Sequence, residues 1–379
     1  VFLLLALAFS GTVTVSLFDR ALRQAGASSA QDFDLVVGAP GSKLDLVLAA
    51  VYLKTDEVLP LLPYEDAEAL ARDPRVAHSS PLVFADHFEA SPIVGIGADF
   101  PLLRPSLKLA SGHWPRAPFE TVAGSSTGSG LGREFHGSHG TLRREGVDEE
   151  VHPQAAYRVV GILAPSGTPW DRAYLTTFDS IWILHQSLDP NPSPEELAAV
   201  HKVSAVLVKP KDFGSAYALR AQYQKGTTTA AFPGEVLAGL FGLFDQVKTA
   251  LSFVGFGFQA IVFVAVVLSL LAGLPAKARW IGLLRALGAG PGYIFLTLWV
   301  QTALVFTLAV LVGVGVGWAS AGALGVSVSD QTGLSLVLRW SWQETGLLAG
   351  FWGTGLAGSL VPALAGYRTS VRRSLLGQP

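Results

Sequence analysis

Cysteine and methionine are both absent from the 379-residue chain. Without cysteine there are no disulfides and no thiolate metal sites. Charge is scarce as well: Asp, Glu, Lys and Arg make up 15% of the residues against 50% hydrophobic ones, and the mean hydropathy is +0.42. A water-soluble domain carries about 25% charged residues to cover its surface. The net charge of -2 offers no basic surface, which argues against a nucleic-acid partner. No G-x-x-x-x-G-K-[ST] run occurs, so the chain has no phosphate cradle with its lysine; it is expected not to be an enzyme and to hold no cofactor of its own. The first residue, Val1, lies inside an apolar run, which reads as a chain lacking residues before it.

What is present falls into two textures. Residues 1–18 are apolar and lack both the basic n-region and the A-x-A-like cleavage site of a signal peptide, so they read as a spanning helix. Residues 19–234 have the mixed composition of an aqueous domain. Strand-like runs at Phe33–Val37, Ile93–Ile96, Tyr157–Leu163, Ala173–Thr177 and Val203–Val208 alternate with helix-like stretches at Tyr64–Arg72 and Phe213–Gln224, which predicts an α+β domain. Gly124–Gly140 is rich in Gly and Ser and reads as a loop. From Glu235 onward Leu237, Leu240, Phe244, Val247, Leu251, Val254, Phe258 and Ile261 follow steps of three and four, the seam of a coiled coil. The seam starts beside Glu235, Asp245 and Lys248 and runs into the apolar stretch Phe253–Leu274, long enough to cross a bilayer core of about 30 Å. One continuous helix is expected, a stalk over residues 235–252 entering the membrane over 253–274, with Leu237, Leu240, Phe244, Val247 and Leu251 as the stalk and dimer seam.

Two more apolar spans follow, over residues 293–318 and 345–364. The connection 275–292 carries Lys277, Arg279 and Arg285 without an acid, and the tail 365–379 carries Arg368, Arg372 and Arg373 without an acid, whereas residues 319–344 have no basic excess. Lys and Arg near span ends stay on the cytoplasmic side, so four spans put both termini inside and the α+β domain and the 319–344 loop outside. Gly346, Gly350, Thr354 and Gly358 recur every four residues in the last span, and Gly313 and Gly317 do so in the third; small residues on one face let helices approach closely. Trp280, Trp299, Trp318, Trp340 and Trp342 lie near span ends, where aromatic belts form at the lipid headgroups. The span interiors hold no ionised side chain, which argues against a proton-coupled pump or an ion channel.

The run Arg279-Trp280-Ile281-Gly282-Leu283-Leu284-Arg285-Ala286-Leu287-Gly288-Ala289 resembles the cytoplasmic signature of FtsX/MacB-type ABC transporter permeases, a basic residue followed by I-G-x-L-R-A-L-G-A after the second span. Pro362-Ala363-Leu364-Ala365-Gly366-Tyr367-Arg368 resembles the family's closing P-A-x-x-A-x-R. Asp34–Ala39 and Tyr157–Leu163 look like its MacB-like periplasmic core domain. The family's basic segment before the first span is missing here, as is its L-x-x-G-D ending near 120–140. The resemblance implies a multi-pass protein of the bacterial inner membrane that pairs with a second permease, as a homodimer or otherwise. ATP would be bound by a separate cytoplasmic ATPase, and a periplasmic partner is possible. The function implied is export, or lipoprotein, peptide or metal handling, driven by motion of the outer domain; the alternative is an FtsX-like regulator of a cell-wall hydrolase or sensor kinase. A plain membrane-anchored binding protein is the third class.

The best functional candidate is therefore Lys277, Arg279, Ile281, Leu284, Arg285, Leu287 and Gly288, a short helix with an apolar stripe and basic residues suited to a groove on the ATPase. Its plainer reading is a positively charged loop lying against lipid headgroups. Gly288 to Gly292, with Pro291, is expected to end that helix. All eight histidines lie before the stalk; His136, His139 and His152 are the weak metal candidate, with Asp148, Glu149 or Glu150 to complete the ligand set. The plainer reading is surface histidines, and no metal is expected. Gly124-Ser125-Ser126-Thr127-Gly128 matches the G-x-S-x-G nucleophile elbow, but nothing after it starts a helix. Asn191 precedes Pro192 and is no glycosylation acceptor.

Overall fold

A computed structural model of the chain describes residues 2–30, 34–54, 59–139, 150–151, 155–185, 201–361 and 363–364. It divides into two compact units: a helical unit of Val1–Leu22, Leu243–Ser327 and Val337–Pro379, and an α+β unit of Arg23–Gly242 and Val328–Leu336.

Helix α1 (Phe2–Ala30) opens the chain. The α+β unit then follows as β1 (Leu35–Gly38), α2 (Lys43–Tyr52), β2 (Leu62–Pro63), α3 (Tyr64–Ala71), β3 (Val76–Phe88), β4 (Ser91–Ile96), α4 (Phe100–Leu103), β5 (Leu109–Gly112) and β6 (Glu120–Ala123). It continues with β7 (Glu134–Phe135), β8 (Ser138–His139), β9 (Glu150–Val151), β10 (Tyr157–Leu163), β11 (Tyr174–Thr177), α5 (Phe178–His185), β12 (Lys202–Val203), β13 (Ala205–Pro210), α6 (Phe213–Tyr223) and β14 (Thr229–Ala231). The main sheet runs β14-β1-β13-β3-β4-β11-β6-β10-β5, with β7, β8 and β9 attached at its side, and β2 pairs with β12 separately. Most neighbours are antiparallel; β4 with β11 and β6 with β10 are the parallel pairs, so the domain is of the mixed α+β kind the sequence predicts.

Alternation along the strands builds two cores on opposite faces of this sheet. In β1, Val36 enters the core that holds Leu46, Val47, Leu82, Phe100 and Trp170, whereas Leu35 and Val37 enter the one that holds Leu62, Leu70, Val83 and Trp182. In β13, Leu207 goes with the first and Val206 and Val208 with the second. Each such side chain stabilises the fold by roughly 1.5–3 kcal/mol when fully buried. Strand β10 has the expected bounds, Tyr157–Leu163, because it is buried at every second residue. The run expected at Val203–Val208 is split: Ser204 lies between β12 and β13, its N–H donating to the Leu82 carbonyl at 2.9 Å and its hydroxyl accepting from the Phe84 N–H at 3.1 Å. Phe33 lies outside the described residues.

The long strand β3 has no counterpart among the expected runs. Pro81 and the polar residues Ser79, Ser80, Asp86 and His87 disguise it. Pro81 stands opposite Val206 of β13, one residue before the β3–β4 pairing that starts at Leu82, so β4 does not flank the residue that lacks an N–H.

Three further helices complete the chain: α7 (Pro233–Ala286), α8 (Pro291–Thr332) and α9 (Trp342–Gly358). Residues of α1, α7 and α8 are found in both units. At its end in the α+β unit α1 is held by a bond from the Tyr52 hydroxyl to the Gly26 carbonyl, 2.9 Å, and by Arg23 over the Phe241 ring at 5.3 Å. Helix α8 does not stop at Trp318, where the expected span ended. The stretch 319–332 holds no proline and mostly small residues, and the helix ends only where Gly333, at φ 72°, closes it with its N–H on the Ser329 carbonyl at 2.8 Å. Past that cap Ser335 donates its N–H to the Gly167 carbonyl at 3.0 Å, and the Arg172 guanidinium donates to the Asp330 carbonyl.

Within the helical unit, Phe9 meets Phe306 and Phe351 edge-on at 6.2 and 6.1 Å between ring centroids. Gly313 and Gly317 are the points of closest approach to α1. A Cβ at Gly313 would lie 2.8 Å from the Ala6 carbonyl oxygen, and one at Gly317 would lie 2.7 Å from that of Ser10. Thr14 donates its hydroxyl to the Gly317 carbonyl at 3.1 Å. The small-residue face expected on the last span is only partly used. Gly358 faces Phe263, while Gly346 and Gly350 have nothing within 4 Å of a built Cβ. Among the described residues α1 and α8 are long and apolar enough to cross a membrane. Leu304, Leu308 and Leu311 of α8 are more than half exposed while Phe306, Ala309 and Val310 are buried. A helix apolar on both its packed and its open face suits lipid.

Candidate functional site

The basic segment after the seam forms the last turns of α7, not a separate short helix. Pro275 lies inside that helix and removes one backbone donor without ending it, as membrane helices tolerate. The end comes at Gly288, φ 94°. Its N–H meets the Arg285 carbonyl at 3.1 Å, and the Ala289 N–H meets the Leu284 carbonyl at 2.9 Å. This is a Schellman cap, which needs a residue that adopts positive φ without strain. Pro291 then opens α8 at its first position, where its missing N–H costs nothing.

The expected apolar stripe divides here. Ile281 is buried, Leu284 is at the edge of exposure, and Leu287 is 79% exposed together with Trp280 and Leu283. Arg285 is half-buried, while for Lys277 and Arg279 the backbone alone is described. The arrangement gives an apolar, capped helix end with a basic residue beside it.

Of the expected seam, Leu237 is 4% exposed and lies in the core of the α+β unit, with Tyr52, Val236 and Phe241 packed around it. Leu240 is half-buried; for Phe244, Val247 and Leu251 only the backbone is described. Glu235 accepts from the Arg220 guanidinium at 2.9 Å, fixing the start of α7 to α6.

Of the three candidate histidines, only His136 has a described side chain. His136 is exposed, its Nδ1 on the Ala155 carbonyl at 3.1 Å. His139 is in β8, where only its backbone is described, and His152 lies outside the described residues, as do Asp148 and Glu149. Among the described residues no three His, Asp or Glu side chains gather as a metal-ligand group. The G-x-S-x-G run follows strand β6 but leads into a turn, with Gly128 at φ 70° and no helix after it, so it does not form an elbow.

Two polar clusters escaped the sequence reading because their members lie far apart along the chain. Glu344, with a side chain only 1% exposed, meets Arg20 at 2.6 Å and accepts from Ser16 at 2.9 Å and from the Ser341 N–H at 2.9 Å. It also closes the capping box of α9. In the α+β unit the wholly buried Asp86 carboxylate stands 3.5 Å from His185 Nε2. Burial alone lowers the His185 pKa, but contact with Asp86 and with the Ile181 carbonyl outweighs it and holds the ring above the ordinary histidine value. Burial first, and then the Asp86 charge, push the Tyr157 hydroxyl far up.

Residues 252–371 match the FtsX-like permease C-terminal family. No curated protein matches the chain. Among solved structures, it is similar to the periplasmic region of MacB from Actinobacillus actinomycetemcomitans, with 11% identity over 55% of this chain and 94% of that one and a TM-score of 0.37. It is also similar to the extracellular domain of the noncanonic ABC-type transporter YknZ from Gram-positive bacteria, with 13% identity over 52% of this chain and 98% of that one and a TM-score of 0.31. The C-terminal part of the chain is thus similar to an FtsX-like permease region, and two of the described helices are long and apolar enough to cross a membrane. The run Arg279–Ala289 falls inside the matched residues.

Proposed function

We propose that this chain is the permease subunit of an ABC transporter, driven by an ATPase on a separate polypeptide. Four spans cross the bacterial plasma membrane, the α+β unit lies outside, and the turns from Lys277 to Gly288 dock on the ATPase. ATP binding in the partner draws two permeases together, and α7 passes that movement outward. The observation that carries this reading is the run of α7: one helix from Pro233 to Ala286, with Leu237 in the α+β core and its last turns inside the family-matched residues. A helix transmits displacement along its axis because each turn is hydrogen-bonded to the next.

The docking reading is supported by the exposed Leu287 and Leu283, which cost solvation unless a partner or lipid covers them. Purified alone, the protein is expected to hydrolyse no ATP. Coexpressed with its ATPase, it is expected to copurify and to alter the partner's ATPase rate. Arg285→Glu is expected to weaken that complex by roughly tenfold or more, the scale of losing one anchor at the centre of an interface. A variant that binds and regulates the ATPase like the wild type would remove this segment from the interface.

A further inference from the structure

We propose that Gly167, Arg172 and Gly333 clasp the end of α8 to the turn before β11, and that this clasp makes α8 a second transmitting rod beside α7, acting on a different half of the sheet. The proposal rests on the transport reading, because the movement that α8 passes on is the one that the ATPase starts.

The case begins with the turn. Between β10 and β11 the chain makes a single 3-10 turn, Pro169–Arg172. Asp171 fixes its approach: the carboxylate accepts from the Ser166 N–H at 2.9 Å, from the Ser166 hydroxyl at 2.9 Å and from the Gly167 N–H at 2.7 Å. A side chain bonded to its own neighbouring backbone holds a loop in one shape. Trp170 anchors the turn further, wholly buried in the core that holds Leu46 and Val47. The turn is thus a firm point of the α+β unit.

Two groups of this turn bind the end of α8. The Arg172 guanidinium donates to the Asp330 carbonyl in the last turn of that helix, and the Gly167 carbonyl accepts from the Ser335 N–H at 3.0 Å. Carbonyls of a last turn have no partner within their helix, and a cation there also meets the negative end of the helix dipole. Two glycines admit the close approach. A Cβ at Gly333 would lie 3.0 Å from Pro169 Cα and 3.1 Å from Arg172 Cδ, and one at Gly167 would lie 3.0 Å from Ser335 Cβ. Both have positive φ, 72° and 69°, where a side chain adds strain. Leu334, between the clasping residues, is 6% exposed. Val328–Leu336 accordingly belongs to the α+β unit, while the part of α8 before it belongs to the helical unit.

The two long helices hold different halves of the sheet. Helix α7 follows β14, the strand at one edge, after a single residue. The clasped turn instead leads straight into β11, and the Gly124 N–H just after β6 donates to the Ala173 carbonyl at 2.8 Å. Strands β1, β13, β3 and β4 stand between β14 and β11, which separates the two attachments by roughly 24 Å at about 4.8 Å per strand. One rod can push a domain; two rods attached that far apart can also tilt it. At their other ends α7 and α8 are separated only by residues 287–290, so one event at that capped end reaches both.

The test is hydrogen exchange on the full permease–ATPase complex, with and without a non-hydrolysable ATP analogue. In the wild type the analogue is expected to change exchange in β14 and β1 and also in β11 and β6. Gly333→Val sets a branched side chain against Pro169, and Arg172→Ala removes the donor to Asp330 while leaving both glycines. Each is expected to copurify with the ATPase, to lose the nucleotide-dependent change in β11 and β6, and to keep it in β14 and β1. Arg172→Lys, which keeps a cationic donor, is expected to restore part of the lost change. Arg172→Ala decides the matter if Gly333→Val fails to fold. A clasp that merely stabilises the turn would raise the nucleotide-free exchange of β11 and leave the nucleotide-dependent difference in place. That result overturns the proposal and leaves the transport reading standing, as does loss of the difference in all four strands. A wild-type complex with no nucleotide-dependent change in any of the four strands overturns both.

Discussion

Trp170→Ala is expected to destabilise the α+β unit by about 3–5 kcal/mol, the cost of emptying a large aromatic site in a packed core. Trp170 is wholly buried and faces Phe100 with ring centroids 5.1 Å apart. The Arg104 guanidinium lies 5.5 Å from its ring centroid, and Arg104 is itself only 1% exposed. Removing the indole therefore leaves a cavity and also takes the ring's negative face from a buried cation, which adds to the loss. Trp170→Phe keeps a ring over Arg104 and is expected to cost less than half as much. The check is a denaturant or thermal melt of the three proteins. Equal midpoints for Trp170→Ala and the wild type would mean that this core is not what holds the sheet and α4 together.

Arg20→Ala is the second large effect, expected to lower the stability of the helical unit by about 3–5 kcal/mol, the range for removing one partner of a buried ion pair. The Glu344 carboxylate keeps its bonds from Ser16 and Ser341 but loses the cation 2.6 Å away. Arg20 is 26% exposed, which puts the effect at the lower end of that range, since solvent screens the outer part of the pair. Changing both residues, Arg20→Ala with Glu344→Gln, removes the stranded charge as well as the attraction. The double variant is expected to be more stable than Arg20→Ala alone, a coupling that a double-mutant cycle measures directly. Strictly additive losses would show that the pair is screened despite its burial.

Local chemistry made part of this architecture legible. Strand β10 could be bounded because Tyr157, Val159, Gly161 and Leu163 alternate with less buried neighbours. The turn at Gly288 could be placed because few residues other than glycine accept a φ of 94°. Gly313 and Gly317 mark a real close approach because each meets the α1 backbone within 3 Å of a built Cβ. Where pairing depends on distant partners, the sequence was silent. Strand β3 carries Pro81 and Asp86, each of which argues locally against a strand; β13 and β4 hold it there. The extension of α8 to Thr332 lacked any stop signal before Gly333, and the expected boundary at Trp318 rested on the end of an apolar run, not on a cap. Asp86 and His185, like Arg20 and Glu344, are brought together by tertiary structure alone, and no spacing rule finds such pairs.

The absence of native cysteine makes the central claim, that the α+β unit and the capped end of α7 face opposite sides of the membrane, directly measurable. Single cysteines placed at Gly130, in open space on the α+β unit, and at the exposed Leu287 are labelled in intact cells with an impermeant thiol reagent. The expected result is labelling at position 130 in intact cells, and at position 287 only after the membrane is opened. Labelling of both positions in intact cells, or of neither until lysis, would contradict the account.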